Sequence, residues 1–266
     1  MPRAAPRWAR RRWPQPASDV PDLAWWAWAL LGVGALVVGL SKTAVPGAGT
    51  IAVAIFAAVL PAKQSTGVLL LLLIVADLFA VTMYRRHADW RTLARLAPAV
   101  VAGVLVGVVF LFFADDLWVK RSIGVILLAV IAITLLRRRF GAVVSDAGPH
   151  RVAAATYGTL GGFTTMVANA AGPVMSMYFL AARFEVKAFL GTAAWFFAIV
   201  NLFKVPFSIG IGIVTVPGLL IDLVLVPLVV VAALLGRWLA DRMPQSVFEK
   251  LVIAFTIVGA VYLLVA

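Results

Sequence analysis

Long, nearly uncharged apolar runs constrain this chain more than any other feature. Leu23 to Leu40, Thr66 to Tyr84, Leu96 to Ala114 and Leu219 to Leu235 each approach the ~20 residues that a helix needs to cross a hydrocarbon core. Inside lipid, backbone N–H and C=O groups find no water, so a spanning segment must satisfy them internally, as a helix or within a closed barrel. Barrel strands alternate polar and apolar residues over about ten positions. Runs such as Val68 to Val75 do not alternate. The sequence therefore predicts an all-α integral membrane protein. Composition agrees: 64% of residues are hydrophobic and 13% charged, where a soluble domain has roughly 45–50% and 25%.

A formal net charge of +12 would suggest nucleic acid as a partner of a soluble chain. Here the basic residues flank apolar runs, a pattern explained by the positive-inside rule and by anionic headgroups. The expected partner is the lipid bilayer of a cell inner or plasma membrane, and no nucleic acid. The chain has no cysteine, which excludes disulfides, thiolate metal sites and a cysteine nucleophile. His87 and His150 are far apart in loop-like segments, so no metal site or other cofactor is expected. Residues 1–22 carry Arg3, Arg7, Arg10, Arg11 and Arg12 among prolines. They read as a basic, disordered tail before a retained first span, with Trp25, Trp26 and Trp28 at the interface.

The apolar pattern repeats. Gly49 with Ile51 matches Gly172 with Val174, Lys63 matches Lys187, Gly67 matches Gly191, and Asp77-Leu78-Phe79 matches Asn201-Leu202-Phe203 at a nearly constant offset. After a shift of about five residues, attributed to one insertion near Pro206 to Pro217, Pro98 matches Pro227, Gly107 matches Gly236 and Arg121 matches Lys250. Two membrane repeats follow, 23–136 and 152–266, joined by the polar linker 137–151. Duplicated halves are common in transporters.

Each half opens with a run that is interrupted by small and polar residues. Leu23 to Leu40 gives way to Ser41-Lys42-Thr43-Ala44-Val45-Pro46-Gly47-Ala48-Gly49-Thr50, then a short run from Ile51 to Leu60. Val152 to Val167 gives way to Ala168-Asn169-Ala170-Ala171-Gly172-Pro173, then Val174 to Ala182. Proline and glycine break the helical ladder, and the freed backbone groups survive in a bilayer only when buried in protein or lining a wet cavity. Taken as one crossing each, the broken helices give about eight transmembrane helices, with the basic loops on one side. Taken as two crossings each, they give inverted halves with the basic tail outside.

A half-helix that starts inside the membrane presents unpaired N–H groups and the positive end of its dipole. Gly47, Gly49 and Gly172 leave room for close backbone approach, Lys42 adds a charge, Asn169 a neutral donor and acceptor, and Ser41, Thr43 and Thr50 hydroxyls. Together these residues suit a small anion. Removing the Lys42 side chain is expected to delete a charge without burying a polar group. Asp77 lies in an apolar run, where a carboxylate must be paired, neutral or wet. Its counterpart is Asn201, three residues before Lys204. An Asp77–Lys204 ion pair between the halves and a proton-carrying Asp77 are both open, so the three residues form a candidate coupling set. Lys63 and Lys187 fit a membrane surface, and Arg237, Asp241 and Arg242 an exposed cluster at a helix end. No phosphate-binding Gly-rich loop with its lysine is present, so ATP-driven transport by this chain alone is not expected.

Gly39-Leu40-Ser41-Lys42 with Pro46-Gly47-Ala48-Gly49 in the first half, and Ala168-Asn169-Ala170-Ala171-Gly172-Pro173, Tyr178-Phe179-Leu180, Lys187-Ala188-Phe189-Leu190-Gly191-Thr192 and Asn201-Leu202-Phe203-Lys204 in the second, resemble the sulfite exporter TauE/SafE family, also called DUF81 or sulfonate uptake permeases. The resemblance covers nearly all of Trp25 to Val265. It implies a duplicated transporter of about eight spans that moves sulfite, sulfonates or related small organic anions by a secondary mechanism, with proton coupling open to it. Where many members have more glycine, this chain has Ala44-Val45-Pro46 and Ala170-Ala171. A channel-like anion pore, or a non-transporting assembly subunit, is the alternative. No convergent catalytic set is visible, so no enzyme is expected, and self-association into a homo-oligomer is compatible with the pattern.

Overall fold

The computed structural model describes residues 23–45, 48–119 and 151–244, with residues 121, 122, 125, 126, 129, 247, 250 and 254. The basic tail 1–22, Gly47 and all but the last residue of the linker 137–151 lie outside the described residues. Every element among the described residues is helical. The helices are α1 (Trp25–Thr43), α2 (Gly49–Val59), α3 (Ala62–Tyr84), α4 (Trp90–Phe113), α5 (Arg151–Ala168), α6 (Ala171–Ala181), α7 (Val186–Gly210) and α8 (Val216–Ala240). Five of them, α1, α3, α4, α7 and α8, are long and apolar enough to cross a membrane. The protein is a multi-pass membrane protein.

Polar side chains set several helix ends. Asp89 caps α4 by accepting from the Arg91 and Thr92 N–H groups, at 2.9 and 3.2 Å. Thr215 caps α8 by accepting from the Gly218 N–H at 3.2 Å. The head of α3 is held from a distance: the Asp116 carboxylate accepts from the N–H groups of Ala62 and Lys63, at 3.1 and 3.0 Å. Such caps satisfy donors that have no partner within the helix.

The two short helices fold back. A side chain on Gly34 of α1 would strike Phe56 and lie against Ile55 of α2, and one on Gly49 would touch Ser41. A continuous helix would hold residues 34 and 56 about 33 Å apart, so α2 returns along α1 as a helical hairpin. In the same way Gly161 of α5 lies against Met175 of α6. This corrects the reading of each interrupted segment as a single crossing. The first helix of each pair ends at Thr43 or Ala168, the second turn passing through Asn169 in a left-handed conformation, and the chain then reverses instead of continuing.

Contact points also fix the relative directions of the long helices. Gly67, near the head of α3, lies on Ile213, just beyond α7, while Gly191, near the head of α7, lies on Tyr84 and His87, at and just beyond the end of α3. The two helices are therefore antiparallel. α1 packs on α8 with Gly39 against Val229, Ala232 and Ala233, and Gly236 against Thr43. α4 packs on α5 with Gly103 against Thr159 and Phe163, and Gly107 against Met166. In both pairs the numbers rise together, so each pair is parallel. Small residues allow this close approach, as is usual where lipid-embedded helices must pack by contact rather than by exclusion of water.

The α4–α5 contact yields a direct prediction. A methyl group on Gly162 would meet the Val100 carbonyl oxygen and stand 2.9 Å from the Val104 nitrogen, and neither backbone atom can rotate away. Gly162→Ala is expected to destabilise the purified protein by about 1–3 kcal/mol, the usual cost of overpacking. Gly210→Ala, at the end of α7 with nothing within 4 Å, is expected to be neutral or stabilising by up to about 1 kcal/mol. Thermal unfolding in one detergent compares the two, and equal melting temperatures would contradict the packing.

Candidate functional site

The interrupted segments meet. The last turn of α1 carries Ser41, Lys42 and Thr43, and the two hydroxyls donate back to helix carbonyls, Ser41 to Val38 at 2.9 Å and Thr43 to Gly39 at 3.0 Å. Lys42 instead reaches across to α3, where its Nζ stands 2.7 Å from Asp77 Oδ1. The ammonium also lies 3.9 Å from the centroid of the Phe197 ring, over its face. Lys42 is 10% exposed and Asp77 1%. A carboxylate so deeply placed is tolerable because it is paired.

From Asp77 the network continues through α7. Asn201 donates its amide to Asp77 Oδ2 at 2.6 Å, and its Oδ1 accepts from Lys204 Nζ at 3.1 Å. Lys204, wholly buried, also donates to Thr165 O at 2.7 Å, Thr165 Oγ1 at 3.1 Å and Asn169 Oδ1 at 2.6 Å. Four oxygen acceptors around one nitrogen suit an ammonium group, which has protons to give and no lone pair. Asn169 closes the chain by donating to the Thr66 carbonyl at 2.9 Å. Its backbone has φ of +52°, a left-handed conformation that asparagine tolerates better than most residues. The residue type thus serves the turn and the network together.

These residues border a cavity of about 550 Å³, its open mouth included, lined by Ser41, Lys42, Gly49, Thr50, Thr165, Asn169, Gly172, Phe197 and Asn201, with Leu73 and three alanines between them. Both short helices begin at it. α2 starts at Gly49 and α6 at Ala171, and the residues before them, Ala48 and Ala170, have no side chain that caps the first turn. Two positive helix ends therefore face one space. In their ordinary ionised forms Lys42 and Lys204 against Asp77 add a net charge of +1 to the same buried region. An uncompensated charge in a low-dielectric interior is costly, and a monovalent anion in the cavity would balance it.

Of the residues singled out from sequence, Ser41, Lys42, Gly49, Asn169, Gly172 and Asn201 line the cavity. Asp77 and Lys204 stand behind it within the network. Gly47 lies outside the described residues. The pairing differs from the sequence reading: Asp77 takes Lys42 as its ion-pair partner, and Asn201 is interposed between Asp77 and Lys204. Asn201 and Lys204 share one face of α7, so the asparagine amide reaches the carboxylate first while the longer lysine side chain extends toward the α5–α6 turn. Sequence reasoning missed Thr165 and Phe197. Thr165 had one available signal, a hydroxyl one helical turn before Asn169, whereas Phe197 is an aromatic residue among many.

Over residues 30–263 the chain matches the family model described as Sulfite exporter TauE/SafE. No curated protein matches it, and no solved structure does.

Proposed function

The chain belongs to the sulfite exporter TauE/SafE family, a family of membrane transporters, and from that premise we propose that it is a secondary transporter of sulfite, a sulfonate or a related small organic anion. The observation that carries this reading is the convergence of two half-helix N-termini, Lys42 and the Lys204 network on one cavity. Gly49 and Gly172 bring the first turns of α2 and α6 against an oxyanion, Lys42 supplies the charge, and Ser41 and Asn169 add hydrogen-bonding groups. A sulfur oxyanion is compact, singly or doubly charged and rich in acceptors, which matches donors spread over opposite walls.

Two inverted halves account for alternating access. The antiparallel crossing of α3 and α7, the parallel pairs α1–α8 and α4–α5 and the two hairpins support a duplication with its axis in the membrane plane. Rocking of one half against the other would then open the cavity to each side in turn. The site of action is the inner or plasma membrane, self-association into a homo-oligomer is compatible with the exposed apolar faces, and the anion and surrounding lipid are the partners, with no nucleic acid involved.

The test is uptake into vesicles containing the purified chain, with sulfite, sulfate, methanesulfonate and chloride, each with and without a pH gradient. Saturable uptake of sulfite or methanesulfonate, at least about tenfold above empty vesicles, is expected. Accumulation above the external concentration under a gradient would separate a transporter from an anion pore, which can only equilibrate. No uptake or binding of any sulfur anion would overturn the reading.

A further inference from the structure

A second buried carboxylate stands apart from the network described above. Asp222 lies in the second turn of α8 and is 5% exposed. Among the described residues neither of its carboxylate oxygens has a hydrogen-bond partner. Gly218, one turn earlier on the same face, lies against Val68 of α3, so Asp222 is turned toward the α3 interface rather than toward lipid. That stretch of α3 is apolar, with Val68, Leu69 and Leu72 all buried.

The charged and titratable groups on the helices packed against α8 are few. α1 contributes Lys42, and α3 contributes Lys63, Asp77 and Tyr84. Lys42 and Asp77 are engaged with each other. Lys63 sits at the head of α3, where its backbone is held by Asp116, and the Tyr84 hydroxyl donates to the Thr43 carbonyl at 2.9 Å. Lys204 of α7 is enclosed by its four acceptors. On α8 itself the other charged side chain, Arg237, lies at the far end, exposed, beside Asp241. Among the described residues no cation is placed to neutralise Asp222, and an ionised carboxylate in lipid-depth surroundings without a partner is among the costliest arrangements a membrane helix can hold.

We propose that Asp222 is a proton-binding site distinct from the Lys42–Asp77 pair, holding its proton while the α3–α8 interface is closed and releasing it to water when that interface opens. The inference rests on the transport reading for its purpose, since opening is what the transport cycle supplies. The balance is simple: a proton from water on one side joins a carboxylate oxygen, travels as the neutral acid, and returns to water on the other. It also assigns different work to the two aspartates. Asp77, already compensated by Lys42, tunes the anion site, whereas Asp222 carries the proton. α3 and α8 run side by side in the same direction, and Asp222 lies about 8 Å short of Asp77 along them, close enough for one movement of α3 to affect both.

Two measurements on the purified full-length chain test this. In infrared spectra of the protein at neutral pH, a protonated-carboxyl C=O band is expected that disappears at alkaline pH and is missing from Asp222→Asn. Absence of the band, or its persistence in Asp222→Asn, would overturn the proposal whether or not any anion is transported. In vesicles with sulfite as probe, Asp222→Asn is expected to reduce accumulation driven by a pH gradient at least about tenfold while sparing sulfite–sulfite exchange. Undiminished gradient-driven accumulation would equally overturn it. If Asp222→Asn fails to insert, Asp222→Glu serves instead: retained coupling with a shifted pH profile is expected, and a profile identical to that of the original chain counts against Asp222. Failure of the unaltered chain to move or bind any of the sulfur anions tested would refute the transport reading alone, and the infrared titration would still decide the proton site.

Discussion

Lys42→Ala is expected to weaken anion binding at least about 100-fold, the usual loss when one side of a desolvated charge contact is removed, and also to destabilise the folded protein by about 3–5 kcal/mol. The second effect follows from the structure and reverses the sequence expectation that no polar group would be left buried. Lys42 is the ion-pair partner of Asp77, which is 1% exposed, so the substitution abandons a carboxylate in the interior. The double variant Lys42→Ala with Asp77→Asn separates the two roles. Removing the orphaned charge together with its partner is expected to return most of the thermal stability, since the amide oxygen introduced at position 77 can accept from Asn201 in place of the carboxylate while Asn201 keeps its bond from Lys204, and anion binding remains lost. Melting temperatures with and without sulfite measure both quantities. Recovery of binding in the double variant would show that Lys42 serves only to neutralise Asp77.

Lys204→Met is expected to be the most damaging single change at the network, costing several kcal/mol. Methionine approximates the length of lysine but leaves Thr165 O, Thr165 Oγ1, Asn169 Oδ1 and Asn201 Oδ1 without their common donor. Each buried acceptor left unmade costs about 1–3 kcal/mol, though such costs do not add simply. Asn169 holds the α5–α6 turn in a left-handed conformation, so the cavity wall that includes Gly172 should loosen as well. Lys204→Arg is not expected to rescue, because a planar guanidinium cannot replace a compact ammonium surrounded on several sides. Expression, melting temperature and sulfite binding of the three forms decide this. A stable Lys204→Met with unchanged binding would remove Lys204 from the site.

What could be read from sequence was local. The runs from Thr66 to Tyr84 and from Leu96 to Ala114 announce spanning helices because length and apolarity are properties of a segment alone. Pro46 and Gly172-Pro173 mark where a helical ladder fails for the same reason. The direction taken after the failure is not local: α2 returns along α1 because Gly34 accommodates Phe56, a fit between surfaces that no single segment encodes. Partner choice was hidden likewise. Asp77 has two lysines within reach of the network, and the asparagine three residues before Lys204 decides which of them it meets. Asp222 stood in view inside Leu219 to Leu235, and the sequence could not show that α8 turns it toward α3.

The crossing of α3 over α7 has a mechanical consequence. Asp77 and Asn201 touch at that crossing, and a point of contact between two counter-directed rods is the place that moves least when one tilts on the other. Gly67 and Gly191, each ten residues from the fulcrum, sit at the tips of lever arms about 15 Å long, so a tilt of about ten degrees displaces each tip by about 2.6 Å. Both tips are already at packing distance from Ile213 and His87, so they would slide sideways across those neighbours in opposite directions. The hydrogen bond at the centre would survive unstretched, so the ion pair would stay intact through the alternating access proposed above.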